Sequence, residues 1–170
     1  MVDMQEKLLP FIPEAEGLIR RCRKLISAAK LFSVPVCSTE QYPKGLGYTT
    51  PELKELLGAL PEKQRFSCAE TLQDRMREYR ESGRDQFVLC GIESHVCVLQ
   101  TAFDLMSAGF RVYVVADSVA SRGKIDYEIA LRRMSDAGAT LVTHESVMFE
   151  WCVSSGDPNF KQISNLVKEN

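Results

Sequence analysis

The stretch QFVLCGIESHVCVLQTAFDLMSAG, residues 86–109, changes its hydrophobic period halfway along. QFVLCGI is a short, unbroken apolar run, the pattern of a strand buried on both faces. After it, Val98, Ala102, Leu105 and Met106 recur on one helix face and stop at Gly109, a helix-terminating position. The pattern predicts a buried strand that turns directly into an amphipathic helix. Cys97 falls in the first turn of that helix, three residues after Ser94, whose hydroxyl is of the helix-capping type.

The alternation continues in both directions. VPVCST (34–39), FRVYVVADS (110–118) and ATLVTHE (139–145) read as further buried strands, and RFSC (65–68) is strand-like. Leu18, Ile19, Cys22, Leu25, Ile26 and Ala29 mark one helix, and Ile129, Ala130 and Met134 mark a second that stops at Gly138. DPNFKQISNLVKEN reads as a C-terminal helix begun by Asp157 and Pro158. Strands and helices in turn, with short links, predict right-handed crossovers and a parallel sheet between two helical layers, a three-layer α/β/α fold. At 170 residues the chain is one domain, 1–170. Met1 to Gln5 reads as the end of a first strand shortened at its amino end, since a parallel strand usually runs to about five residues. QYPKGLGYTTP, 41–51, is the longest irregular stretch, and it too follows a strand. Ligands of such sheets bind at the carboxyl ends of the strands.

Composition narrows the function. Hydrophobic residues make up 45% and charged ones 26%, and the net charge of −2 gives no general attraction to nucleic acid or an anionic membrane. Arg20, Arg21, Arg23 and Lys24 read as the wet face of the first helix. No apolar run is long enough to span a membrane, and no signal-peptide pattern opens the chain. The cysteines at 22, 37, 68, 90, 97 and 152 form no C-x-x-C pair, as expected of reduced thiols in a cytoplasmic protein. The two histidines, His95 and His144, stand at no metal-ligand spacing, so no metal is expected.

Strand ends collect the chemical candidates: Asp3, Glu40, Lys63, Glu93, Ser94, Cys97, Asp117 and His144. The helix dipole and free N–H groups of a first turn favour a thiolate at Cys97 and would also receive an oxyanion. The competing reading is a small core residue. His95, two residues before Cys97, points elsewhere and reads as a surface or capping residue. His144 reads as the end of the last strand, either a loop histidine or the edge of the site. Asp3 is a type of residue that takes a thiol proton, and Lys63, just ahead of RFSC, one that holds a thiolate by charge. Alone, each also reads as ordinary: a helix cap and a solvated lysine. Asp117 reads by default as a helix cap. Gly45-Leu46-Gly47 lacks the rest of a nucleotide loop, and the chain has no G-x-S-x-G elbow.

Taken in order, VDMQ at Asp3, KQRFS at Lys63, GIESHVCVLQTAFDL around Cys97, VVADSVASR and MSDAGATLVTHESVMFE resemble the isochorismatase-like cysteine hydrolase family over essentially the whole chain. TEQYPKGLG, 39–47, is similar to the isochorismatase domain-containing subgroup. The resemblance implies a six-stranded parallel sheet, an Asp-Lys-Cys triad of Asp3, Lys63 and Cys97, and a non-proline cis peptide between Ile92 and Glu93. It also implies an oxyanion hole made by the N–H groups of Glu93 and Cys97, and no cofactor. Nicotinamidases of the family hold a metal through an aspartate and histidines after the second strand, where STEQYPKGLGY, 38–48, has no histidine. True isochorismatases generally lack the cysteine, so vinyl-ether cleavage is disfavoured too. The implied activity is metal-free hydrolysis of a small amide-like substrate, with Gln5, Phe11, Tyr42 and Tyr48 as candidate pocket residues. The implied assembly is a homodimer or larger homo-oligomer, with no nucleic acid and no membrane as partner. Two other readings stand beside it: a catalytically silent homologue acting as an oligomeric scaffold or binding protein, and a nuclease.

Overall fold

Residues 86–109 fold as their two periods require. In the computed structural model, which describes residues 1–169, a 3-10 turn (Leu9–Phe11) is followed by α1 (Ala15–Leu31), β1 (Glu40–Gln41), α2 (Pro43–Leu46), α3 (Pro51–Lys54), β2 (Glu62–Lys63) and α4 (Gln73–Glu81). Then come β3 (Gln86–Ile92), a π-helical turn (Ser94–Val98), α5 (Leu99–Ser107), β4 (Arg111–Ala120), α6 (Lys124–Asp136), β5 (Thr140–Val142), α7 (His144–Cys152) and α8 (Phe160–Lys168).

Successive side chains of a strand face opposite sides, and here both sides are covered. Leu89, Val112 and Val114 pack in one cluster with Leu99, Ala102 and Leu105 of α5 and with Ala130 and Met134 of α6. Cys90, Ile92 and Val115 pack in the other, with Leu18, Cys22 and Leu25 of α1, Val147 and Met148 of α7, and Ile163 of α8. The α/β/α layering follows from this double burial. Past the ends of α5 and α6, the N–H groups of Phe110 and Ala139 close on the carbonyls of Leu105 and Met134, around Gly109 and Gly138.

The sheet departs from the six strands expected. β3, β4 and β5 form one parallel ladder in that order, and β1 and β2 form a separate two-stranded parallel one. Among the described residues only Val2 links them, with a single parallel bridge to Thr39 and another to Gly91. Residues 34–38 lead into β1 but pair in no ladder; Met1 and Val2 meet this stretch at Cys37 and Thr39. The strand ahead of RFSC also sits earlier than expected: Lys63 is in β2, and 65–68 is a bend. His144 does not end a strand but opens α7, since Thr143 and Ser146 form a capping box there. Asp157 and Pro158 lie in the turn before α8, which begins at Phe160. Among the described residues no helix is long and apolar enough to cross a membrane.

Gly91 is where the two ladders are joined. The Val2 N–H donates to the Cys90 carbonyl at 2.8 Å, and the Ile92 N–H donates to the Val2 carbonyl at 2.9 Å. Gly91 has φ +116°, and a Cβ there would lie 2.1 Å from the Val2 carbonyl oxygen. Only glycine fits so close a backbone approach. Gly91→Ala is therefore expected to lower stability by more than the ~1–3 kcal/mol of backbone strain alone, measured by urea unfolding. Gly58→Ala, where nothing lies within 4 Å, is the control expected to be near neutral.

Candidate active site

The carboxyl ends of these strands converge on a small buried polar cluster. Asp3 follows Val2 with φ +47°, a left-handed conformation that aspartate adopts more readily than most residues. Lys63 ends β2, and its Nζ lies 2.7 Å from Asp3 Oδ2, with the two side chains 1% and 0% exposed. The same Nζ donates to Gln41 Oε1 at 2.6 Å, to the Phe66 carbonyl at 2.7 Å and to the Arg65 carbonyl at 3.2 Å. Those three acceptors take the ammonium's N–H bonds. Oδ2 is held by the Lys63 ammonium and has no other partner among the described residues. Asp3 Oδ1 accepts from the Thr39 hydroxyl at 2.8 Å.

Cys97 is 8% exposed, more than Asp3 or Lys63. It sits in the π-helical turn after β3, and the Ile92–Glu93 peptide ahead of it is cis. Within the turn, the N–H groups of Val96 and Val98 both close on the Glu93 carbonyl at 3.1 Å, and the Cys97 N–H between them does not. Burial, the Asp3 charge and a hydrogen bond to Asp3 push the Cys97 thiol up to about 12, against the opposing pull of Lys63. Burial also raises Asp3 above the usual carboxylate range, although Lys63, Thr39 and Cys97 all draw it down. The resting Cys97 is thus a neutral thiol. The thiolate expected from helix position alone does not survive the desolvation of the sulfur.

The other candidates lie elsewhere or serve the frame. Gln5 is wholly buried, and its amide donates to the carbonyls of Gln41 (3.0 Å) and Gly47 (2.6 Å) and accepts from the Gln41 N–H (2.7 Å). With those groups engaged it braces the 41–47 loop. Glu40 Oε1 accepts from the Thr49 N–H at 2.7 Å. Ser94 does not cap the helix: its hydroxyl is buried with no partner among the described residues. His95 pairs with the Ser121 hydroxyl at 3.0 Å, and Glu93 Oε1 holds Arg122 Nε at 2.9 Å. Asp117 is a cap after all, of α7, accepting from the His144 N–H at 2.9 Å and facing its Nδ1 at 2.6 Å. Burial works to raise Asp117, but the His144 hydrogen bonds outweigh it and hold this carboxyl low. Phe11, Tyr42 and Tyr48 stand at the surface; Tyr42 is tied to the site through its N–H on the Lys63 carbonyl at 3.0 Å. Among the described residues, no three His, Cys, Asp or Glu side chains are grouped to hold a metal.

Four residues around the cluster escaped the sequence reading. Thr39 and Gln41 flank Glu40, and their roles follow from alternation along β1, which turns both toward Asp3 and Lys63. Thr101 is one helical turn after Cys97; its hydroxyl donates to the Cys97 carbonyl at 2.7 Å and accepts the Cys68 N–H at 2.9 Å. The Cys68 thiol lies 3.2 Å from Thr39 Oγ1.

A parallel α/β fold whose strand ends bring a buried carboxylate–ammonium pair beside a cysteine turn is the layout of a hydrolase class built on that sheet. Residues 1–146 match the isochorismatase domain, and the chain belongs to that family. It is 39% identical to isochorismatase domain-containing protein 2A of Mus musculus over 173 residues, covering 99% of this chain and 81% of that protein. The solved structure of MAR1 ribonuclease from Caenorhabditis elegans superposes with a TM-score of 0.91 at 39% identity, over 99% of this chain and 88% of that one. The ycaC gene product of Escherichia coli, described as an octameric hydrolase of unknown specificity, superposes with a TM-score of 0.86 at 27% identity, over 97% of this chain and 83% of that one.

The surroundings of Cys97 fix the direction in which its titration moves. Its thiolate absorbance should appear only at strongly alkaline pH in the parent chain, consistent with a thiol pushed up to about 12. Removing the negative neighbour in Asp3→Asn should bring the transition to lower pH, and removing the positive one in Lys63→Met should drive it higher. Ultraviolet pH titration of variants that keep only Cys97 reads both, and parallel shifts would break the proposed adjacency.

Proposed function

We propose that this chain is a metal-free cysteine hydrolase acting on a small amide-like substrate, with Asp3, Lys63 and Cys97 as its triad and no cofactor. The observation that carries the reading is the buried Asp3 carboxylate, held by Lys63 at 2.7 Å and next to the Cys97 thiol. In the first half-reaction, sulfur forms a bond to the substrate carbonyl carbon as its proton passes to Asp3. The resulting oxyanion is received by the N–H groups of Glu93 and Cys97. Asp3 returns the proton to the departing amine, leaving a thioester on Cys97. Water then attacks the thioester as Asp3 takes its proton; the acid leaves, and that proton restores the thiol. Proton transfer is concerted with attack, because a free thiolate at this buried sulfur is costly.

The octameric E. coli neighbour and the exposed aromatics Phe11, Tyr42, Tyr48 and Phe66 support a homo-oligomer, a dimer or larger. Six free thiols support a cytoplasmic setting. Light scattering should give at least twice the chain mass; a monomer at micromolar concentration would remove this part of the reading.

The name of the C. elegans structure favours a second reading, ribonuclease activity. The charge pattern weighs against it: Arg23 pairs with Glu55 at 3.8 Å, Lys24 donates to the Val167 carbonyl at 3.2 Å, and the net charge is −2. One assay pair separates the possibilities. With p-nitrophenyl acetate the parent chain should release a burst of one p-nitrophenolate per chain and carry the acetyl group on Cys97, seen by peptide mass spectrometry. Cys97→Ala should lose that turnover about a thousandfold or more. RNA cleavage by a parent chain that shows no acetyl-enzyme would transfer the assignment to the nuclease, and silence in both assays would favour the scaffold.

A further inference from the structure

Glu93 has two conflicting parts in the proposed reaction. Its backbone N–H is one of the two donors assigned to the oxyanion, while its side chain is an acid. Covalent geometry keeps that carboxyl group within about 5 Å of the residue's own N–H. The side chain is only 11% exposed, so water screens its charge little. Uncompensated, it would repel the negative charge that develops on a substrate carbonyl in the turn.

The chain that leaves β4 answers this charge. Ile92 is in register with Ala120 at the carboxyl end of the β3–β4 ladder, which sets the next residues of each strand side by side. Arg122 Nε donates to Glu93 Oε1 at 2.9 Å, and the Arg122 backbone N–H donates to the same oxygen at 3.3 Å. One residue earlier, Ser121, 5% exposed, pairs its hydroxyl with His95 Nδ1 at 3.0 Å. The turn also closes on itself, through the Val96 and Val98 N–H groups on the Glu93 carbonyl. Its shape thus has supports that do not involve the guanidinium, and the Arg122 side chain is itself 63% exposed. What the guanidinium alone supplies is positive charge.

We infer, resting on the hydrolase reading, that Arg122 is a positioning residue that acts through Glu93. Its guanidinium holds the Glu93 carboxylate and cancels its charge, so that the N–H of the same residue can receive an oxyanion. An ion pair with both partners in water contributes little. Here one partner is withdrawn from water, and its charge, once stranded, would face the reacting centre. The effect falls on the transition state, where the oxyanion exists, and spares the binding of a neutral carbonyl.

A charge cycle read on the acylation of Cys97 by p-nitrophenyl acetate tests this. Arg122→Gln keeps a hydrogen-bond donor and loses the charge, whereas Arg122→Lys keeps the charge. Arg122→Gln is expected to slow the p-nitrophenolate burst about tenfold. The half-saturating ester concentration and the urea midpoint should stay where they are in the parent chain. Arg122→Lys should remain within about threefold of the parent rate. Adding Glu93→Gln to Arg122→Gln removes the stranded charge and should recover most of the loss, while a purely steric brace would leave the double variant no faster than the single one. An unchanged burst in Arg122→Gln, or a double variant as slow as Arg122→Gln, would overturn the inference and leave the hydrolase reading intact. A parent chain that never carries acetyl on Cys97 removes that reading and this inference with it.

Discussion

Asp3 and Lys63 lie 2.7 Å apart with both side chains withdrawn from water, and such a pair is tolerable only when the rest of its donors and acceptors are answered. The answers come from distant parts of the chain. Thr39 and Gln41 reach it from β1, and the carbonyls of Arg65 and Phe66 from the bend after β2. Gln5 then locks the loop that presents Gln41. Breaking a buried pair by removing one partner typically costs ~3–5 kcal/mol, because the other charge is left alone. The cluster therefore fixes the carboxyl edge of the two-stranded ladder, where hydrophobic contacts are few: β1 and β2 together contribute four residues.

A second constraint links that polar edge to the apolar three-stranded ladder. Val2 bridges Thr39, just ahead of β1, and Gly91 of β3, and Asp3 is next to it, so the carboxylate's position is inherited from the seat of Val2 on Gly91. On the other side of Gly91, Ile92 leads into the turn that holds Cys97. Carboxylate and thiol thus reach each other through one backbone contact, and a side chain at residue 91 would push apart the two halves of the site.

What could be read from the amino-acid order was whatever depends on local period. The strand and helix on either side of Glu93, the helix stops at Gly109 and Gly138, and the layering all follow from alternation and apolar spacing, and all are present. Family motifs added Asp3 and Lys63 to Cys97, and the fold does bring that carboxylate and ammonium into contact. What failed depended on partners across space. Residues 34–38 have strand composition but no ladder, since pairing is a property of two segments. The bracing of the 41–47 loop by Gln5 was equally invisible, since its amide is engaged by carbonyls more than thirty residues away. Thr39 and Thr101 gave no signal of their own because a hydroxyl matters here only through what it touches.

The charge state of Cys97 is the sharpest case of two local rules in conflict. A helix start stabilises a thiolate by roughly 0.3–1 kcal/mol when exposed. Burial, with Asp3 as a negative neighbour, acts in the opposite sense and prevails, and the thiol sits at about 12. That outcome separates readiness from reactivity. Oxidants and stray electrophiles attack thiolates, so a sulfur kept neutral is protected in the resting protein. In the proposed reaction, a substrate developing an oxyanion in the turn would supply the missing stabilisation only while bound, as the proton moves to a carboxylate whose own affinity for it has been raised by the same burial. Desolvation therefore opposes a free thiolate at Cys97 and favours proton uptake by Asp3, and in the proposed reaction the two effects would meet only when an acceptor for the electron pair is present.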